Sequence, residues 1–92
     1  MSERQQVADV LDRLARVAPG RSVELRIPPY GAIQLIAGPV HRRGTPKATV
    51  EMAPTVLLAL AAGTLTWSAA IADGAVLASG ERADLSHLFP LG

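Results

Sequence analysis

The hydrophobic positions change period along the chain, and each change marks a new kind of element. Across the first seventeen residues, Val7, Val10, Leu11, Leu14 and Val17 follow the i, i+3, i+4, i+7 spacing of one buried helical stripe, with Asp9, Asp12, Arg13 and Arg16 mostly on the other face. Ser2 is the expected N-cap, because its hydroxyl can accept from a free amide of the first turn, and Glu3 sits near the positive end of the helix dipole. Pro19-Gly20 ends this helix. The period then drops to two. Val23, Leu25 and Ile27 share one face and Glu24 and Arg26 the other, which predicts a strand with one wet face. Pro28-Pro29-Tyr30-Gly31 is a turn, and residues 32–37 form a second strand; so short a connection favours an antiparallel hairpin. Residues 38–47 read as a polar loop, and residues 48–52 alternate again as a third strand.

The period returns to that of a helix after Pro54, which is well placed in a first turn where its missing N–H costs nothing. Residues 55–62 are apolar nearly all round, so this helix is expected to be buried on most sides, and Gly63 closes it. Thr66 predicts an N-cap for a helix over residues 67–73, with Gly74 just past its end. Residues 75–79 form a short fourth strand, apolar enough to be expected between neighbours. Residues 84–88 form a last helical turn or two, ended by Pro90. The order α, β-β-β, α-α, β, α predicts an α+β domain, a single one over residues 1–92, with helices packed on one face of a mainly antiparallel sheet.

Composition narrows the function classes. With 49% hydrophobic and 18% charged residues the chain cannot be intrinsically disordered. A formal charge of +1 supplies no global field to gather nucleic acid or an anionic membrane. There is no cysteine, which excludes disulfides, zinc thiolates and thiol nucleophiles. Tyr30, Trp67 and Phe89 are the only aromatics, too few for a base-stacking platform. The longest apolar run, residues 56–62, falls far short of the ~20 residues that span a bilayer, and the opening residues do not form a signal peptide. A cytoplasmic protein without a transmembrane segment and without a nucleic-acid partner is expected.

Candidate chemistry is sparse. Asp84 and His87 stand three apart, with Ser79 and Ser86 near in sequence, but no glycine-flanked serine elbow accompanies them. A helix-capping Asp84 and an exposed His87 explain these residues better than a catalytic triad, so no catalytic residue is assigned. His41 and His87 lack the spacing of a metal site, and no metal or cofactor is expected. The segment from His41 to Lys47 is the one dense basic patch; Arg42 and Arg43 could fork onto a phosphate or carboxylate, against the plainer role of a solvated loop. Trp67 reads as core packing or the wall of a ligand cavity, and Tyr30 as a partly exposed cap on the core.

The C-terminal half resembles a known family. Thr49-Val50-Glu51 runs into the apolar helix Val56 to Gly63, followed by Leu65, Trp67, Ala70, Gly74, an alternating strand, Gly80 and Leu85. This pattern is similar to the sterol carrier protein 2-like family, and Gly44-Thr45-Pro46 and residues 82–86 resemble its short bacterial, actinobacterial-type branch. The resemblance implies a twisted five-stranded sheet covered by helices, with an apolar tunnel for acyl chains or sterols. It also implies an alternative, because such domains occur as accessory pieces beside other domains. An empty tunnel of ~300 Å³ would cost on the order of 7 kcal/mol, much of a small domain's stability. The interior must therefore be filled by its own leucines, by a ligand, or closed by a second subunit. The reading is a non-enzymatic module binding a fatty acyl chain or another apolar small molecule. Leu57, Leu60, Leu65, Trp67, Ile71, Leu77, Leu85 and Phe89 are its expected lining, and Arg42 or Arg43 its head-group contact. The rival is a compact interaction module with a filled core, which a homodimer would satisfy.

Overall fold

Ser2 opens the first helix through a capping box: its hydroxyl accepts from the Gln5 N–H, and the Gln5 side chain accepts from the Ser2 N–H at 3.0 Å. The computed structural model describes residues 1–38, 48–80 and 82–91. Its elements are α1 (Glu3–Val17), β1 (Val23–Ile27), β2 (Gly31–Leu35), β3 (Ala48–Met52), α2 (Pro54–Ala62), α3 (Trp67–Ala72), β4 (Val76–Ser79) and a single 3₁₀ turn at Ser86–Leu88. Of the expected polar loop only Gly38 is described; His41, Arg42 and Arg43 lie outside the described residues.

The four strands form one sheet in the order β2-β1-β3-β4. β1 pairs antiparallel with β2 and β3 antiparallel with β4, as expected for a mainly antiparallel sheet, but the central β1–β3 pair is parallel. The register sets Val23 beside Leu35 and Ala48, Leu25 beside Ile33 and Val50, and Met52 beside Val76. These residues build the buried face. Glu24, Arg26, Gln34, Thr49, Glu51 and Leu77 alternate onto the other face. α1 packs on α2 and β2, and α3 on β4, so one apolar face carries the helix layer. The fold is the α+β class the periodicity predicts.

Two expectations change and one holds. Val17, the last residue of α1, is 63% exposed, because the stripe runs past the edge of the surface it covers. α2 buries Leu57, Leu60 and Ala61, half-buries Val56, Leu58 and Ala59, and exposes only Thr55 and Ala62, so it is covered on most sides as its composition predicts. β4 is an edge strand: Val76 reaches the core and Leu77 is 62% exposed, so its apolar composition does not reflect neighbours on both sides.

The second strand also ends earlier than its composition suggests, at Leu35, because Ile36 takes a left-handed φ of 69°. The Ile36 carbonyl accepts from the Ser22 N–H at 3.1 Å and from the Ser22 hydroxyl at 2.6 Å, and the Ile36 N–H donates to the Ala18 carbonyl at 2.9 Å. Gly20 passes so close that a Cβ there would lie 2.1 Å from the Ile36 carbonyl carbon. Ser22, 6% exposed, is the buried polar residue among those described, and these bonds satisfy it.

Two stability predictions follow from this packing. Leu60 is fully buried, so Leu60→Ala should cost ~2–5 kcal/mol in denaturant unfolding; a loss below ~1 kcal/mol would place the side chain at the surface. Gly20→Ala should cost on the order of 3 kcal/mol through overpacking against backbone that cannot rotate away, and a midpoint equal to wild type would remove the close approach.

Candidate functional site

The turn between α2 and α3 brings one side of a groove into place. α2 ends at Gly63, whose left-handed φ of 83° suits a residue without a Cβ, and its N–H donates back to the Leu60 carbonyl at 3.2 Å. The Thr66 hydroxyl accepts from the Ala69 N–H at 3.2 Å and starts α3 at Trp67. Leu65 and Trp67 thus flank a helix cap, both half-buried against the core.

The C-terminal segment supplies the other side. The Leu91 N–H donates to the Ala61 carbonyl at 2.9 Å, tying the end of the described chain to α2. Pro90 lies over Gly63, where a Cβ would meet the proline ring at 3.3 Å. Phe89 stacks on Trp67 with centroids 6.2 Å apart and planes 13° from parallel. Between these walls lies an open groove of about 480 Å³. Leu65, Trp67, Phe89 and Pro90 form its apolar part, and Thr66, Ser68, Asp84 and Ser86 its polar part. The groove is open and lies between the α2–α3 turn with the start of α3 on one side and the C-terminal segment on the other.

The Asp84–Ser86 contact is a turn. Asp84 Oδ1 accepts from the Ser86 N–H at 2.9 Å. That backbone bond first, then the Ser86 hydroxyl and the nearby His87, lower the Asp84 carboxyl below its ordinary value, while partial desolvation opposes them. Asp84 therefore presents a carboxylate to the groove at neutral pH. Ser79 is occupied elsewhere, 3.1 Å from the Thr49 hydroxyl across β3 and β4. Among the described residues no histidine is hydrogen-bonded to a serine, and no three His, Asp or Glu side chains gather as a metal site would require.

The residues expected to line one cavity divide among three places. Leu57, Leu60 and Leu85 have no exposed surface and fill the core between sheet and helices. Leu65, Trp67 and Phe89 meet in the groove. Ile71 and Leu77, 40% and 62% exposed, belong to a separate depression of about 440 Å³ beside β4, with Arg26, Thr49 and Glu51. Arg42 and Arg43 lie outside the described residues. Tyr30 is away from the groove: its hydroxyl donates to Glu3 at 2.7 Å and its ring lies 5.5 Å from the Arg4 guanidinium, which ties the β1–β2 turn to the start of α1. Thr66 was visible in the sequence as an N-cap and Asp84 as a capping acid; Ser68 carried no signal, and the common destination of the three was not visible.

A four-stranded mixed sheet with one helix-covered face defines a small α+β domain. The chain matches the family model described as bacterial SCP ortholog over residues 2–91, and it belongs to that family of bacterial sterol-carrier-protein-like chains. No curated protein matches it significantly. The match extends the resemblance carried by the C-terminal half to the N-terminal helix and hairpin. No helix among the described residues is long and apolar enough to cross a membrane.

The carboxylate at Asp84 makes a pH prediction. A folded-state pKa below the unfolded value contributes stability above the unfolded value, and that contribution is lost as pH falls below about 4 toward the folded value. Asp84→Asn, which still accepts from Ser86, should therefore lose less stability than wild type between about pH 7 and pH 3. Equal losses in urea midpoints would show that the charge contributes nothing.

Proposed function

We propose that the protein is a non-enzymatic binding module for an amphipathic ligand with an acyl chain, seated in the groove between the α2–α3 turn and the C-terminal segment. The observation that carries this reading is the convergence of Leu65, Trp67 and Phe89 on one groove of about 480 Å³, within the ~300–1,000 Å³ range of small-molecule sites. Membership of a sterol-carrier-protein-like family, whose domains are in general carriers rather than catalysts, supports it. The core argues for a surface seat: Leu57, Leu60 and Leu85 adjoin no water-sized space, so a chain threaded past them would have to displace them.

Affinity follows from the area available. A decanoyl chain has eight methylenes; buried at ~0.8 kcal/mol each they supply roughly 6 kcal/mol, a dissociation constant in the tens of micromolar. An open groove covers less than the whole chain, so measured affinities should be weaker, between that value and ~1 mM.

Trp67 is the only tryptophan, so its emission reports the groove directly. Decanoyl glycerol should shift that emission saturably with one-to-one stoichiometry, and Phe89→Ala should weaken binding by roughly tenfold, ~1.4 kcal/mol. A titration that stays linear to about 2 mM, beyond the weakest affinity expected, would end this reading.

A further inference from the structure

We infer that the groove selects amphiphiles whose head group donates hydrogen bonds and carries no negative charge, hydroxylated or ammonium head groups over the carboxylate of a free fatty acid. This rests on the groove as the binding site. Among its described lining residues the one formal charge is Asp84, and the other polar groups are the hydroxyls of Thr66, Ser68 and Ser86. An acyl chain lying on Leu65, Trp67 and Phe89 therefore has its polar end beside a carboxylate and three hydroxyls.

Four of the described arginines are engaged away from this groove. Arg82, two residues before Asp84, lies against Gly38, where a Cβ would meet its Nε at 3.1 Å. Arg26 pairs with Glu24, Arg16 with Asp12, and Arg4 lies over Tyr30. The Ser86 backbone N–H holds one Asp84 oxygen at 2.9 Å and favours the ionised form. A ligand carboxylate would meet a like charge on the exposed polar side of the groove without a paired cation from the described lining. A hydroxyl or ammonium would find an acceptor already oriented. The hydroxyls of Thr66 and Ser68 are neutral and can donate to or accept from a head group, so they favour neither charge and leave Asp84 to set the preference.

The experiment uses the full chain and three ten-carbon probes, decanoyl glycerol, decylammonium and decanoate. They are titrated below their aggregation limits at about pH 8. Trp67 emission is the readout, and Phe89→Ala identifies binding in the groove. The expected result is that decanoyl glycerol and decylammonium bind at least ~10-fold tighter than decanoate. Asp84→Asn should narrow that gap to below ~3-fold, strengthening decanoate and weakening decylammonium, with an unchanged circular-dichroism melt as the check on folding. Decanoate binding as tightly as the other two, with all three weakened by Phe89→Ala, would overturn the selectivity and leave the groove standing. A gap that persists in Asp84→Asn would overturn the role of the carboxylate. Absence of saturation with all three probes, or binding indifferent to Phe89→Ala, would remove the groove itself and this inference with it.

Discussion

The exit of α1 and the end of β2 are locked together through one carbonyl, that of Ile36. Two donors on Ser22 converge on it, the Ile36 amide returns to Ala18, and Gly20 leaves room for the backbones to touch. The lock holds a β-branched residue in the left-handed region, an arrangement that costs on the order of 1–3 kcal/mol where it occurs. Each hydrogen bond contributes about 1 kcal/mol net, and leaving the buried Ser22 hydroxyl unpaired would cost ~1–3 kcal/mol. The constraint therefore does more for geometry than for stability. It fixes the point from which α1 crosses the sheet edge, and so the position of Val7, Val10, Leu11 and Leu14 over Leu35 and α2.

With α1 seated, the interior closes on leucine and valine side chains. The cluster includes Leu14, Leu25, Leu35, Leu57, Leu60 and Leu85, all without exposed surface. A small domain has little stability to spend on an internal void. The half-buried apolar residues, Leu65, Trp67 and Phe89, are instead gathered at a corner, where a helix cap, a left-handed glycine and a returning C-terminal segment meet. Each of these devices serves the fold by satisfying a helix end. Together they leave a cleft that is apolar on one side and polar on the other.

Local rules made much of this legible in the sequence. The stripe of α1, the Ser2 and Thr66 caps, the alternation of β1 and the short hairpin turn each depend on residues within a few positions of one another. What was not legible depends on distant partners. Alternation says that Val23 and Val50 share a face, but not that their strands run parallel side by side. Apolar composition cannot separate the central strand β1 from the edge strand β4, nor a core leucine such as Leu57 from the exposed Leu77. Asp84 and His87, three apart with serines near in sequence, raised a catalytic reading that the missing serine elbow set aside in favour of a capping Asp84. Asp84 accepts from the Ser86 N–H in a turn at the mouth of the groove.

The parallel pairing of β1 with β3 sets an order of assembly. The β1–β2 hairpin closes on neighbours a few residues apart, but Val23 meets Ala48 across twenty-five residues of chain, and β4 reaches β3 only after both later helices have been laid down. Loop closure of that length must be met before the contacts that reward it form, which slows folding relative to a purely local sheet. During synthesis the hairpin emerges with its inner edge unpaired, and that edge stays open until residue 52 is free to dock. The most protected pair of strands in the finished domain is thus its most exposed seam while the domain is being made.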